Sequence, residues 1–268
     1  MAVHLLKRCN NYLVASSKAD KSIKAIKAYK HDSYKYVWAK AKAAFKYIYK
    51  RYGTGYDWII KCDDDSYVVL ENLRMFLLNK DPNTHHYYGF RLQFYEPHTK
   101  SNYDYIQGGS CFVISKATLK TLVTKGLSNP KICKSAPEGH DDREIGHCLS
   151  KLAIKPVDVR DMHDQIMFIP SSPDEFATTD YNMNQAIFKA FNKVIIRDGK
   201  EGLSEYPIAF HYIEGNMQYG LEYLFYKAQV IGFQQTLYKE ICVGNCVNQT
   251  KTVMDKIRTF SSKLSKKD

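Results

Sequence analysis

Apolar residues recur along this chain in two rhythms, and the alternation between them outlines the predicted elements. Tyr34, Val37, Trp38, Ala41, Phe45, Ile48 and Tyr52 fall at three- and four-residue steps, the spacing of one helix face. Asp32 or Ser33 can cap the start of that helix, and Gly53 can end it. Cys9 to Ser17 reads instead as a strand, Tyr-Leu-Val-Ala, running into a polar loop. Trp58 to Cys62 is a second apolar run of strand length, and it stops at Asp63-Asp64-Asp65. A helix is predicted near 70–79 and a strand over 87–92. The run 105–114 reads as a strand interrupted by Gly108 and Gly109, followed by a helix capped by Ser115 and closed by Gly126. From Pro137 a polar loop leads to a helix that starts at Asp141-Asp142 and ends near Ser150. Val157 and Val159 suggest another short strand, and Ile208 to Ile213 alternates as a strand does. Such alternation predicts an α/β layer architecture without internal repeats, with a Lys- and Ser-rich end that frays.

Composition agrees with a globular chain. At 268 residues, 44% hydrophobic and 25% charged, it can bury a full core as one domain, which excludes disorder over most of its length. The net charge of +11 raises nucleic acid as a partner. However, Lys35, Lys40, Lys42, Lys46 and Lys50 lie mostly off the apolar stripe, as a solvated face would, and no zinc-finger or RNA-recognition signature accompanies them. Nucleic acid is not expected. No stretch is long or apolar enough to span a bilayer, and the first residues do not make a signal peptide. The seven cysteines show no CxxC zinc spacing; Cys133 and Cys148 bracket a polar loop and a helix start, which suits one structural bridge. With the sequon Asn248-Gln249-Thr250, this tilts the compartment toward an oxidising lumen.

The aspartate triplet changes the picture most. Adjacent carboxylates repel, and at the end of a strand a hard divalent cation offsets that repulsion, which in turn suggests a phosphorylated substrate. Asp63 and Asp65 can face one side while Asp64 points elsewhere; the alternative is a solvated acidic loop. His211, in an otherwise apolar segment, is either a core residue with satisfied nitrogens or a neutral imidazole ligand. Asp142 sits at a helix start, where it can cap the unpaired N–H groups or act as a general base toward a hydroxyl. Glycines inside a strand mean that something packs on the backbone, a ligand or merely a bulge.

These pieces occur together, in this order, in one family. Trp58 to Leu73, with Arg8-Cys9-Asn10, Gln107-Gly108-Gly109, Ser115-Lys116, Asp141 to Cys148, Phe210-His211-Tyr212 and Leu221 to Leu224, resembles the core 1 β1,3-galactosyltransferases within the Fringe-like family. The match covers roughly 4–235. It implies a GT-A nucleotide-sugar fold, a Rossmann-like mixed sheet flanked by helices, here beginning at about the helix after the family's first strand and so lacking that strand. Residues 1–240 would form the catalytic domain and 241–268 a tail with cysteines and a basic end.

By position, the resemblance implies Mn²⁺ held by Asp63, Asp65 and His211, and a donor site that includes Asp63, Asp64, Gly109, His211 and Tyr212. Asp142 would be the catalytic base. The implied reaction is inverting transfer of galactose from UDP-galactose to the 3-hydroxyl of GalNAc on Ser or Thr of a glycoprotein. Alternatives are a Fringe-type N-acetylglucosaminyltransferase and a non-catalytic, chaperone-like relative. The family further implies a Golgi-lumenal type II protein, membrane-attached only through an anchor this chain does not contain, and it allows a homodimer. Cys133 with Cys148 matches a family bridge, while Cys9 matches a cysteine whose partner lies upstream. Ser110, Cys111 and Phe112, the segment Gly202 to Tyr206, and Phe168 to Asn192 depart from the family on the acceptor side.

Overall fold

Strands and helices do alternate through the chain. A computed structural model describes residues 3–96, 100–178, 199–228 and 250–264. Its helices are α1 (Val3–Arg8), α2 (Val37–Tyr52), α3 (Leu70–Leu77), α4 (Lys116–Thr121), α5 (Asp141–Lys151), α6 (Pro173–Ala177), α7 (Gly215–Tyr226) and α8 (Thr250–Leu264). Its strands are β1 (Val14–Ser16), β2 (Ala25–Lys27), β3 (Trp58–Lys61), β4 (Tyr67–Val68), β5 (Tyr87–Gly89), β6 (Arg91–Glu96), β7 (Ser101–Ile106), β8 (Phe112–Ser115), β9 (Val157–Asp158), β10 (Phe168–Ile169) and β11 (Ala209–Phe210). The sequon at Asn248, Cys242, Cys246, the boundary at 240 and the end of the basic tail lie outside the described residues.

The central sheet has the order β3-β8-β5-β9, with β8 antiparallel to both neighbours and β9 parallel to β5. Because side chains alternate across a strand, this sheet feeds two cores. Tyr87, Phe112 and Ile114 join Trp38 and Phe45 of α2, Leu119 of α4, and Ile145 and Leu149 of α5 on one face. Tyr88 and Val113 join Leu70, Leu73 and Phe76 of α3 on the other, together with the three-stranded sheet β10-β11-β4. The result is the mixed α/β layering that the alternation predicts.

Local chemistry explains most boundaries. Ser33 accepts a hydrogen bond from the Lys35 N–H and starts a single 3₁₀ turn, Tyr34–Tyr36, that leads into α2; Gly53 ends the helix at φ 58°, a conformation that costs glycine little. Trp38, Ala41 and Phe45 are buried as the periodicity predicts, but Tyr34 is 73% exposed. Its place in the 3₁₀ turn puts it out of phase with the α-helical stripe. Lys42 donates to the carbonyls of Lys134, Ser135 and Ala136, and Lys40 pairs with Asp32.

Several predicted strands are shorter or divided. Of 9–17 only Val14–Ser16 is strand, paired in parallel with Ala25–Lys27. The 87–92 run breaks at Phe90 into β5 and β6, which belong to different sheets. The 105–114 run likewise divides at its glycines: β7 pairs with β6 in a hairpin, and β8 enters the central sheet. At the far end of the chain α8 lies on α3, where Ser261 donates to the Met75 carbonyl at 2.5 Å and Asn79 to that of Arg258 at 2.8 Å. The Cys133–Cys148 bridge is present, and a second bridge, Cys62–Cys111, joins β3 to β8.

Candidate metal and carboxylate site

The aspartates stand at the exit of β3, in a turn fixed from two sides. Asp63 donates its N–H to Ser66 Oγ at 3.0 Å, and the hydroxyl of fully buried Ser66 donates to the Gly109 carbonyl at 2.8 Å. On the other side the Asp65 carbonyl accepts the Ile213 N–H at 2.7 Å, while Gln218 bonds the Asp64 and Ile213 carbonyls at 3.0 and 2.9 Å. The antiparallel register Phe210↔Tyr67 then carries His211 past Ser66 to Asp65. Tertiary pairing, not sequence proximity, brings the histidine there.

Asp63, Asp65 and His211 each present a ligand atom, all within 4.8 Å of one another. His211 Nε2 is 3.4 Å from Asp65 Oδ2, and this contact is the main cause that holds the Asp65 carboxyl below its ordinary value. His211 Nδ1 is buried with no hydrogen-bond partner among the described residues. Gly109 makes room for the ring: a Cβ there would lie 2.0 Å from Nε2. Two carboxylates and one imidazole are a donor set that suits Mn²⁺ and leaves coordination positions for oxygens of a ligand. The residues therefore fit a divalent cation.

A second acidic group stands across Lys61. The ammonium of Lys61 is 2.5 Å from Asp63 Oδ1 and 2.6 Å from Asp141 Oδ2. Burial opposes its charge, but the two carboxylates outweigh burial and keep it firmly protonated. Next to Asp141, Asp142 accepts the Gly108 N–H at 3.1 Å on Oδ2 and the Arg143 N–H at 2.7 Å on Oδ1. Asp142 is partly exposed, yet the dense protein around it, and then the charge of Asp141, raise its carboxyl above the usual range; Lys61 pulls the other way. A Cβ on Gly108 would lie 3.2 Å from that of Asp142 and 3.3 Å from Lys61 Nζ.

Of the residues singled out from sequence, Asp63, Asp65, His211, Gly109 and Asp142 thus converge around Lys61 and Ser66. Asp64 is exposed and outside the cluster, and its carbonyl accepts from Gln218. Tyr212 stacks on His211 at 3.8 Å with φ 55° and is 58% exposed. Lys61, Asp141 and Ser66 were not anticipated; a lysine inside an apolar strand, two residues before the aspartates, is the signal that marks the first. Two further matched motifs also meet. Arg8 of α1 forks onto Glu222 of α7 at 2.7 and 2.6 Å and lies 3.5 Å over the Tyr226 ring, while Tyr67 donates to Glu222 at 3.3 Å.

The span that holds these residues is similar to known proteins. The chain is 29% identical to glycoprotein-N-acetylgalactosamine 3-beta-galactosyltransferase 1 of Xenopus laevis over 229 residues, which are 85% of this chain and 61% of that protein. The chain therefore spans less than two thirds of the length of this relative. The Fringe-like family model matches residues 7–213, a span that contains the aspartate turn, the glycine loop, Asp142 and His211. By that match the chain belongs to the Fringe-like family.

Proposed function

We propose that this chain carries the catalytic region, residues 1–240, of an inverting, metal-dependent β1,3-galactosyltransferase of GT-A type. It would move galactose from UDP-galactose to the 3-hydroxyl of GalNAc on Ser or Thr. The observation that supports this most is the pairing of a cation site at Asp63, Asp65 and His211 with a separate carboxylate of raised basicity, Asp142, across a single lysine. Bound Mn²⁺ would supply charge for the departing diphosphate. Asp65 and His211 would hold it, with Asp63 completing the set. Gly109 leaves the His211 ring in place, and Asp64 and Tyr212 would border the donor. Asp142, aimed by the N–H groups of Gly108 and Arg143, would take the proton of the acceptor hydroxyl as that oxygen attacks the anomeric carbon. A single displacement inverts the centre and needs no nucleophilic side chain. We further propose that it works in the Golgi lumen as a type II membrane protein, as the family resemblance implies; two disulfides suit an oxidising lumen.

The test is transfer by the full 268-residue chain with Mn²⁺ and UDP-galactose to a GalNAc-peptide, alongside UDP-N-acetylglucosamine and the variant Asp65→Ala. Galactose transfer that Asp65→Ala abolishes supports the reading. Transfer of N-acetylglucosamine alone would move the chain to a Fringe-type donor. No transfer of either sugar, with Mn²⁺ bound, would leave a non-catalytic relative.

A further inference from the structure

One aromatic side chain beside the site belongs to neither core. Tyr34, which helical spacing assigns to the buried stripe of α2, is instead 73% exposed. Its position is nonetheless fixed. The 3₁₀ turn that holds it is capped by Ser33, and the Lys35 carbonyl accepts the Gly139 N–H at 3.1 Å. One turn later Ala39 donates to the Pro137 carbonyl at 3.2 Å, and the Trp38 indole donates to that of Lys134 at 3.1 Å. The Tyr34 ring meets His140 edge-on at 5.4 Å, and His140 is the residue that immediately precedes Asp141 and Asp142. Its hydroxyl is raised above its ordinary value by the surrounding protein and then by the charges of Asp142, Asp63 and Asp141.

The geometry points to Tyr34 as a stacking platform for the acceptor sugar, a neutral pyranose whose attacking hydroxyl reaches Asp142. This rests on the galactosyltransferase reading of the site. Tyr34 is the most exposed of the large apolar side chains among the described residues, it is held beside the start of α5, and an aromatic face packs well on the apolar face of a sugar. The choice of sugar follows from side and charge. Tyr34 sits on the Asp142 side, where the acceptor proton leaves, whereas Tyr212 is stacked on His211 beside the cation site. Three carboxylates against the single Lys61 ammonium also disfavour an anionic ligand near Tyr34, which leaves the diphosphate to the cation.

Steady-state kinetics of the full chain with Tyr34→Ala, Tyr34→Phe and Tyr34→Trp test the assignment, after circular dichroism shows that each variant folds. Tyr34→Ala is expected to raise the KM for the GalNAc-peptide about fivefold to tenfold, with the UDP-galactose KM and kcat within about twofold. Tyr34→Phe and Tyr34→Trp are expected to keep acceptor KM near the wild-type value. An unchanged acceptor KM in Tyr34→Ala, or a loss confined to kcat, overturns the platform. If the wild-type chain transfers no sugar, the reading of the reaction fails, and saturation-transfer NMR with a GalNAc α-glycoside decides Tyr34 by itself. Signal from the sugar that disappears in Tyr34→Ala supports the platform; equal signal, or none in either protein, ends it.

Discussion

Asp142 and Lys61 make opposite demands at the residue scale. A carboxyl whose folded pKa is raised binds its proton more tightly in the native state than in the unfolded chain, so stability falls as pH rises through that interval. Asp142→Asn should therefore raise the melting temperature at neutral pH while lowering kcat by about a hundredfold or more. The wild-type rate should climb with pH through a value above the usual carboxylate range. A variant that loses both activity and stability would mark Asp142 as structural. Lys61 is the reverse case, since its ammonium is the counter-charge for two carboxylates and its side chain is only 18% exposed. Lys61→Met should cost about 3 kcal/mol in urea unfolding, because it strands buried charge, and added Mn²⁺ should recover part of that. A cost under about 1 kcal/mol would show that Asp63 and Asp141 need no partner. Sequence revealed the carboxylates because they are adjacent and abut an apolar strand. It hid the lysine's role because Asp141 is brought to Lys61 only by the fold.

The element scale shows why some boundaries were legible and others not. The α2 stripe was readable because sixteen helical residues repeat one period over several turns, and Gly53 ends it by a local rule. The strands β1, β2, β4, β9, β10 and β11 are two or three residues long and take their bounds from their partners: of the stretches 9–17 and 208–213 that read as strand, only Val14–Ser16 and Ala209–Phe210 are. The Cys62–Cys111 bridge was invisible for a related reason. Lys61 pairs with Phe112 at the end of the β3–β8 ladder, so the next residue outward on each strand meets the other, and register cannot be read from one strand. This bridge closes a loop of sequence separation 49 and joins the strand before Asp63 to the segment after Gly109. The loop-entropy argument gives about 4 kcal/mol for such a closure. Cys62→Ala/Cys111→Ala should lose an amount of that order in denaturant unfolding, and Mn²⁺ should bind more weakly; unchanged stability would mean that the two strands hold without it.

For the whole molecule, a cation held by two segments far apart in sequence should stabilise the native state. At a hundredfold excess over its dissociation constant, Mn²⁺ should add about 2.7 kcal/mol, or roughly 5 °C or more in melting temperature. EDTA should reverse the shift, and Asp65→Ala should lack it; an equal shift in that variant would place the cation elsewhere. The α/β layering was legible at this scale, since alternating patterns dictate layers. The convergence of α1 with α7 was not, because Arg8 and Glu222 are separated by 214 residues and no local pattern links them. That distance has a consequence for birth on the ribosome. Asp63, Asp64 and Asp65 emerge long before His211 and before the helix that carries Glu222, at synthesis rates on the order of ten residues per second. For that interval Lys61 is the cation nearest in sequence to the triplet, so the lysine that later bridges Asp63 and Asp141 first offers its charge to the triplet alone.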